Sequence, residues 1–254
     1  VRTADGDIVL FSLNIDNSEN PRWRPQFVPT FSRSSDGGRT WSPVRPLGER
    51  AGRIYDAVVD EDGTLYVLQF ANDCTGTWVG TEPDHLYLLY VSRDGGMSFE
   101  LRGELPFVTD RRGYGTLGFL PSGELAAYIM NLKHDPFGPL DFYTSADGGR
   151  IWSTSQTVRF SKAVRNPQFV ELDGAYFMHG RARGGHFVLY SSRDGINWDE
   201  GTILRKCEAG AGAYSNSIVV GALDPGKMNR LLIQASHAYH QNRTNILQWW
   251  LRLK

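Results

Sequence analysis

The sequence has few cysteines and little net charge. It has two cysteines in 254 residues, Cys74 and Cys207, which are too few for a disulfide framework. Its 27 Lys and Arg residues stand against 28 Asp and Glu residues, for a formal net charge of −1. Nucleic-acid-binding proteins usually carry a basic excess or stripe. The composition therefore argues against a nucleic acid partner, although a few arginines can still face one small anion.

The sequence also lacks long apolar runs. None approaches the roughly 18 residues that a membrane-spanning helix needs, and the longest are short, such as 8–11, which predicts a strand. We therefore expect no membrane span. The sequence begins inside a repeat without an initiator Met, which is compatible with a secreted or periplasmic protein. Aromatic residues are abundant, with 7 Trp, 11 Tyr and 13 Phe, enough for a large core.

A short motif occurs four times. Each copy reads Ser-x-Asp-Gly-(Gly)-x-x-aromatic, and the copies span residues 34–41, 92–99, 145–152 and 192–198. Their aspartates are Asp36, Asp94, Asp147 and Asp194, which lie 58, 53 and 47 residues apart. An Asp in such a turn accepts hydrogen bonds from nearby backbone amides, and Gly supplies the positive φ of a tight hairpin. We expect four equivalent hairpins, with the tryptophans that follow buried between strands: Trp41, Trp152 and Trp198.

A second pattern fills the interval between the motifs. A strand, a glycine turn and another strand come before the later motifs, and a fifth unit lacks the motif. The strand segments are 57–59, 65–68, 117–119, 125–128, 169–172, 175–178, 217–220, 231–233 and 246–251. Each unit is then a four-stranded antiparallel meander, which is the blade of a β-propeller. We predict one all-β domain over residues 1–254 with five blades, six being the alternative, and with Val1 and Arg2 as the end of the first inner strand.

The repeated motif resembles the Asp-box, or bacterial neuraminidase repeat, and the resemblance covers the whole chain. The best-known members of that superfamily are sialidases, which have six blades. The boxes are specific for the propeller and not for an activity, because they lie on hairpins away from the central site. The function therefore has to be argued from other residues.

The topology of a propeller gathers distant residues at one end of its central channel. The first residues of the inner strands and the loops between second and third strands should meet there. The inner-strand positions are 53–56, 111–114, 165–168 and 214–216. The loop positions are Asp16, 84–85, 134–135, His179, Arg181, Arg183, His237, His240 and Arg243.

The resemblance implies three catalytic parts: arginines that clamp a carboxylate, a Tyr nucleophile activated by Glu, and an Asp acid/base. Segment 212–215 resembles the approach to the nucleophile and makes Tyr214 its counterpart. Arg181 resembles a clamp arginine, Arg53 does so more loosely, and Asp16 lies in a loop resembling that of the acid/base. Tyrosine is a known exception to the two-carboxylate rule of glycosidases, and the arginine fork matches a carboxylate.

One departure from the family pattern concerns the activating Glu. Asn166, followed by Pro167, stands where that Glu is expected, and without a carboxylate base the Tyr mechanism loses its activator. Asp56 is the acidic residue that directly follows the start of an inner strand. It is therefore a second possible nucleophile or base.

We predict a glycoside hydrolase that removes a terminal, acidic sugar such as sialic acid from a glycan. The alternative is a non-catalytic propeller that binds a glycan or a protein. The predicted catalytic residues are Tyr214, Asp56 and Asp16. The predicted substrate-binding residues are Arg53, Arg181, Arg183, His134 and His237. We expect no cofactor and no metal, because His237 and His240 are three residues apart and would point to opposite sides of a strand.

Overall fold

The computed structural model describes residues 1–13, 27–71, 85–106, 110–133, 138–154, 156–207, 214–221, 228–240 and 243–253. These residues form 18 β-strands and one short 3₁₀ turn, Arg183–Gly185, so the all-β prediction is confirmed. Cys74, Asp16 and His134 lie outside the described residues. None of the helical residues described could form a span long and apolar enough to cross a membrane.

The strands form five antiparallel sheets in chain order. The first contains β1 (Ile8–Ser12), β2 (Thr30–Ser34) and β3 (Arg45–Pro46). The second contains β4 (Gly52–Val59), β5 (Leu65–Ala71), β6 (Leu86–Ser92) and β7 (Glu100–Glu104). The third contains β8 (Arg112–Phe119), β9 (Leu125–Asn131), β10 (Leu140–Ser145) and β11 (Gln156–Val158). The fourth contains β12 (Arg165–Leu172), β13 (Ala175–Arg181), β14 (Phe187–Ser192) and β15 (Thr202–Arg205), and the fifth β16 (Ser215–Val220), β17 (Arg230–His240) and β18 (Arg243–Leu251).

This order of meanders is that of a five-bladed β-propeller, as predicted. Within each sheet every strand pairs with the next strand in sequence, so short turns suffice to connect them. Arg2 forms an isolated antiparallel bridge with Ile8, in the place predicted for the first inner strand. All seven residues of β5 are buried, which explains why six of them are apolar rather than alternating with polar residues. The exception, Gln69, donates from its side-chain amide to the Arg50 carbonyl at 2.7 Å.

The chain divides into two compact units. The first comprises residues 1–117 and 144–154, and the second comprises 118–143 and 155–254. The core of the first unit includes Val9, Phe31, Leu65, Val67 and Leu88. The core of the second includes Leu172, Phe177, Phe187, Leu231 and Ile233. Each unit therefore buries its own set of large apolar side chains.

The four boxes form equivalent hairpins, each connecting the last two strands of its sheet. In the first box, Asp36 Oδ1 accepts from the amides of Arg39 and Thr40, both at 2.9 Å. The Ser34 hydroxyl donates to the same oxygen and accepts from the Gly38 amide, both at 2.8 Å. The other three boxes repeat the serine–aspartate bond and the two amide bonds. The aspartates are structural in all four.

The prediction for the tryptophans is only partly correct. Trp152 is buried, but Trp198 is partly exposed and Trp41 is 40% exposed. Trp41 Nε1 donates to the carbonyl of Gly38 at 3.1 Å. Its ring therefore lies against its own turn, where the indole N–H finds an acceptor, rather than between strands.

Each later box is also bonded to the blade before it. Arg33 of β2 donates to the Gly95 carbonyl at 3.0 Å, and Arg102 of β7 donates to the Gly148 carbonyl at 2.9 Å. The Tyr128 hydroxyl of β9 donates to the Gly195 carbonyl. The first glycine of the box thus exposes a carbonyl that accepts a bond from the preceding sheet.

Candidate functional site

An irregularity in the fourth blade positions the candidate residues. Arg165 pairs with Arg181 and Gln168 pairs with His179, with a register shift between these two pairs. Gly180 lies opposite the shift, where a Cβ atom would come within 2.7 Å of the Arg165 carbonyl oxygen. Such a bulge re-aims the neighbouring side chains. Gly180 is therefore required for the close approach of β12 and β13.

Arg181 is buried beside Tyr214. Its side chain is only 7% exposed, and Nε has no acceptor within the described residues. The guanidinium carbon lies 5.3 Å from the centre of the Tyr214 ring, a cation–π distance. Tyr214 is 52% exposed, and its amide and carbonyl both bond to Ser236, at 3.1 and 2.9 Å. The backbone holds an exposed phenol next to a buried cation.

His179 of β13 contacts β16 through a side-chain hydrogen bond. Its Nδ1 lies 2.9 Å from the Ser215 hydroxyl, and its ring packs edge-on against Phe187. Burial lowers the pKa of His179 to about 3, because a charged imidazole would lose its hydration. The ring is therefore neutral at ordinary pH, and it fixes the Ser215 hydroxyl directly after Tyr214.

Asn166 has a conformation that accounts for its residue type. Its φ is +55°, a left-handed conformation that Asn adopts more readily than most residues. The side chain is buried, and its Oδ1 atom has no donor in the described part of the chain. Asn166, at the position where the resemblance predicts a Glu, thus places a buried amide in the bulge, adjacent to the β13 residues that include Arg181.

Asp56 lies in the first unit and bonds two inner strands together. Its Oδ2 accepts from the Thr116 hydroxyl at 2.5 Å and the Leu117 amide at 2.9 Å, and its Oδ1 accepts from the Ala57 amide at 2.8 Å. Burial raises the pKa of Asp56, outweighing these hydrogen bonds. Arg53 lies on the same strand and is partly buried. These contacts give Asp56 a structural role. Its catalytic role stays a prediction.

The remaining predicted substrate-binding residues, Arg183 and His237, differ in exposure. Arg183 is exposed in the 3₁₀ turn after β13, and His237 is buried in β17 with no partner for Nε2 in the described region. Across the described residues, no group of three or more His, Cys, Asp or Glu residues could hold a metal ion. The side chains brought together are thus Arg181, Tyr214, His179 and Ser215, all in the second unit.

Comparisons with known proteins extend this description. No family model matches the sequence, and no curated protein matches it. A protein of unknown function from Dyadobacter fermentans has a similar structure, with a TM-score of 0.77 and 16% identity, over 100% of this chain and 75% of that one. A sialidase from Trypanosoma rangeli gives a TM-score of 0.65 and 16% identity, over 97% of this chain and 45% of that one. An α-L-arabinofuranosidase from Fusarium graminearum gives 0.62 and 15%, over 93% and 75%.

The sialidase comparison covers less than half of the sialidase itself. At such low identity these similarities establish the fold and no more. The chain has the fold of the sialidase-like β-propellers.

Proposed function

We propose that the protein is a glycoside hydrolase acting on a terminal, carboxylate-bearing sugar, with its substrate-binding site at Arg181 and Tyr214. The observation that carries this proposal is the buried Arg181 guanidinium, whose Nε has no acceptor in the described residues. A buried donor without a partner costs free energy unless a ligand supplies one. A carboxylate is the anion that matches the planar donor fork of arginine.

Tyr214 supplies the second element of the proposal. Its phenol is half exposed and lies against the guanidinium. In the proposed reaction a base takes the phenolic proton as the tyrosine oxygen attacks the anomeric carbon. The bond to the leaving oxygen breaks, and an acid protonates that oxygen. Water then hydrolyses the glycosyl–tyrosine bond. A neutral nucleophile suits this substrate because a carboxylate nucleophile would repel the anionic sugar.

The acid and base of this reaction stay predictions from the sequence. Asp16 is outside the described residues, and Asp56 is in the first unit. The trypanosomal sialidase has been solved with sialic acid and the fungal glycosidase with an iminosugar inhibitor. Their ligands support a carbohydrate substrate, and the two enzymes differ in the sugar they release. We therefore place sialosides first and arabinofuranosides second as test substrates.

A non-catalytic glycan-binding protein is the second candidate. The observation that favours it is Asn166, an amide where the resemblance calls for a catalytic Glu. Its left-handed φ fits Asn better than Glu. A binding protein would keep the Arg181 site and dispense with the base that activates Tyr214.

Turnover of aryl sialosides and arabinofuranosides separates the two candidates. We expect the wild-type protein to hydrolyse at least one of them and Tyr214→Phe to lose about 10²-fold or more in kcat. Arg181→Lys should mainly raise KM, because Lys cannot reproduce the bidentate contact. Arg205→Lys, on the exposed strand β15, is the matched control and should behave as wild type.

Two other results are informative. Binding of sialosides without hydrolysis, lost in Arg181→Lys, would favour the non-catalytic candidate. If the protein neither binds nor hydrolyses any of these substrates, both candidate functions are wrong.

A further inference from the structure

A cavity with a volume of about 580 Å³ lies in the same unit as Arg181. Small-molecule sites have volumes of about 300–1,000 Å³, so its size suits a sugar residue. Its described lining comes from the end of β9 and the residues before β10, the segment leading into β12, the turn after β13, and β15. The lining residues that matter for binding are Arg159, Phe160, Lys162, Arg183, His186 and Ile203.

The charge of the cavity has one sign. Arg159, Lys162 and Arg183 bring three cationic side chains to it, and none of its described lining residues is Asp or Glu. The Lys162 ammonium donates to the carbonyl of Glu200, which is not one of the described lining residues. A concave surface lined by cations favours an anionic ligand.

The apolar part of the cavity is rigid. The Phe160 ring packs edge-on against Tyr190 at 4.8 Å between centroids and lies 5.7 Å from Trp198. The Tyr190 hydroxyl accepts from the Lys162 amide at 3.0 Å and donates to the Ala163 carbonyl at 3.1 Å. The segment that presents Phe160 is therefore held by side-chain packing and by backbone bonds. A ligand gains from such preorganisation because less ordering is needed on binding.

The cavity is separate from the Arg181 site. Ala182 lines it, whereas neither Arg181 nor Tyr214 does. Successive residues of an extended strand point to opposite sides, so the end of β13 directs Arg181 one way and Ala182 the other.

We propose that this cavity is a second carbohydrate-binding site, specific for a sugar that carries a carboxylate. The C–H face of the sugar ring would pack on Phe160 and Ile203, while Arg159 and Arg183 bind the carboxylate. This combination of an apolar wall and a few placed cations is typical of a site for an amphipathic anion. The proposal does not depend on hydrolysis at Tyr214.

Titration with methyl glucuronide, followed by ligand-observed NMR or calorimetry, tests the site in the intact chain. Because Arg181 is itself proposed to bind a carboxylate-bearing sugar, the cavity variants are compared in the Arg181→Lys background. There we expect binding to weaken about tenfold or more in Arg159→Glu and to change less than about twofold in Arg252→Glu, because a charge-assisted contact is lost only in the first. Arg252 is an equally exposed arginine of the same unit, outside the cavity. Methyl glucoside, which lacks the carboxylate, should bind at least about tenfold more weakly. Arg159→Gln is a milder variant if the charge reversal impairs folding.

Arg181→Lys separates this site from the proposed active site. We expect it to leave glucuronide binding unchanged in the cavity even when it abolishes turnover of sialosides. The proposal is overturned if Arg159→Glu and Arg159→Gln in that background bind as Arg181→Lys does, or if Arg181→Lys alone removes all binding. It is also overturned if methyl glucoside binds equally well, or if inorganic sulfate at equal concentration displaces the glucuronide completely, since the cavity would then recognise any anion.

Discussion

Two buried side chains of β13, Arg181 and His179, respond to burial in different ways. Arg181 keeps its positive charge, and its buried Nε has no acceptor among the described residues. Burial lowers the pKa of His179 to about 3, so the ring is neutral. At the residue scale the candidate site therefore combines one fixed charge with one fixed neutral group.

The neutral state of His179 predicts a pH-dependent stability. The unfolded histidine has a pKa near 6.5, above the folded value, so the unfolded state binds more protons between these values. Stability should then fall as the pH decreases below about 6.5, by up to about 1.4 kcal/mol per pH unit. Urea unfolding at pH 7.5 and 5 should show a larger loss for wild type than for His179→Gln. Equal losses in the two proteins would contradict the neutral buried histidine.

Asp56 gives a second prediction at this scale. Asp56→Asn should lower the free energy of unfolding by about 1–3 kcal/mol, because the amide cannot accept all the bonds that Thr116, Leu117 and Ala57 donate. Asp62→Asn, in an exposed turn, is the control. If kcat also falls at a temperature where Asp56→Asn is fully folded, the predicted catalytic role is supported. An unchanged kcat would leave Asp56 a structural residue.

At the element scale the box hairpin has two roles. Its Asp and Ser satisfy the amides of their own turn, and its glycine carbonyl accepts a bond from the preceding blade. In the third box the second glycine also packs closely: a Cβ atom on Gly149 would lie 2.1 Å from Leu89 Cδ2. On Gly37, by contrast, it would meet nothing within 4 Å. The two glycines have similar φ values, +85° and +74°.

This contrast predicts different costs for the same substitution. Gly149→Ala and Gly37→Ala both place a side chain at positive φ, but only the first also overpacks the core. We expect Gly149→Ala to be the more destabilising by about 1–3 kcal/mol. Chemical denaturation of the two variants measures the difference, and equal destabilisation would show that the packing of the box on β6 contributes little.

The sequence predicted the boxes correctly because their interactions are local. Each donor to Asp36 lies within four residues of it, so the motif itself contains the residues that form the turn. The interactions of the site are not local. His179 and Ser215 are 36 residues apart, and Asp56 and Thr116 are 60 apart. Their meeting depends on strand register and on the bulge near Asn166, which residue types alone do not specify.

The exposed Trp41 shows that the motif does not determine where its aromatic ring lies. The motif predicts an aromatic residue that packs inward, as Trp152 does. Trp41 instead bonds to the Gly38 carbonyl in its own turn. The same motif allows both outcomes, because the position of the ring depends on which acceptor and which neighbours it finds.

At the scale of the whole molecule, the box aspartates recur in both compact units. The Thr40 hydroxyl, its amide and Ser34 lower the pKa of Asp36 to about 2. The pKa of Asp194 is also low, because the bonds from Asn197 outweigh the opposing effect of burial. The pKa values of Asp94 and Asp147 are lowered in the same direction.

These shifts predict sensitivity to acid throughout the propeller. A carboxylate whose folded pKa lies below its unfolded value of about 3.9 stabilises the fold above that value and loses this contribution as the pH falls. The melting temperature should therefore decrease between about pH 4 and pH 2. It should decrease less steeply in Asp36→Asn and in Asp194→Asn, because each variant removes one titrating group while keeping an acceptor oxygen. Calorimetry or circular dichroism at pH 5, 3 and 2 measures these slopes. The exposed variant Asp62→Asn should keep the wild-type slope, and the same slope in all four proteins would mean that the box carboxylates do not govern acid unfolding.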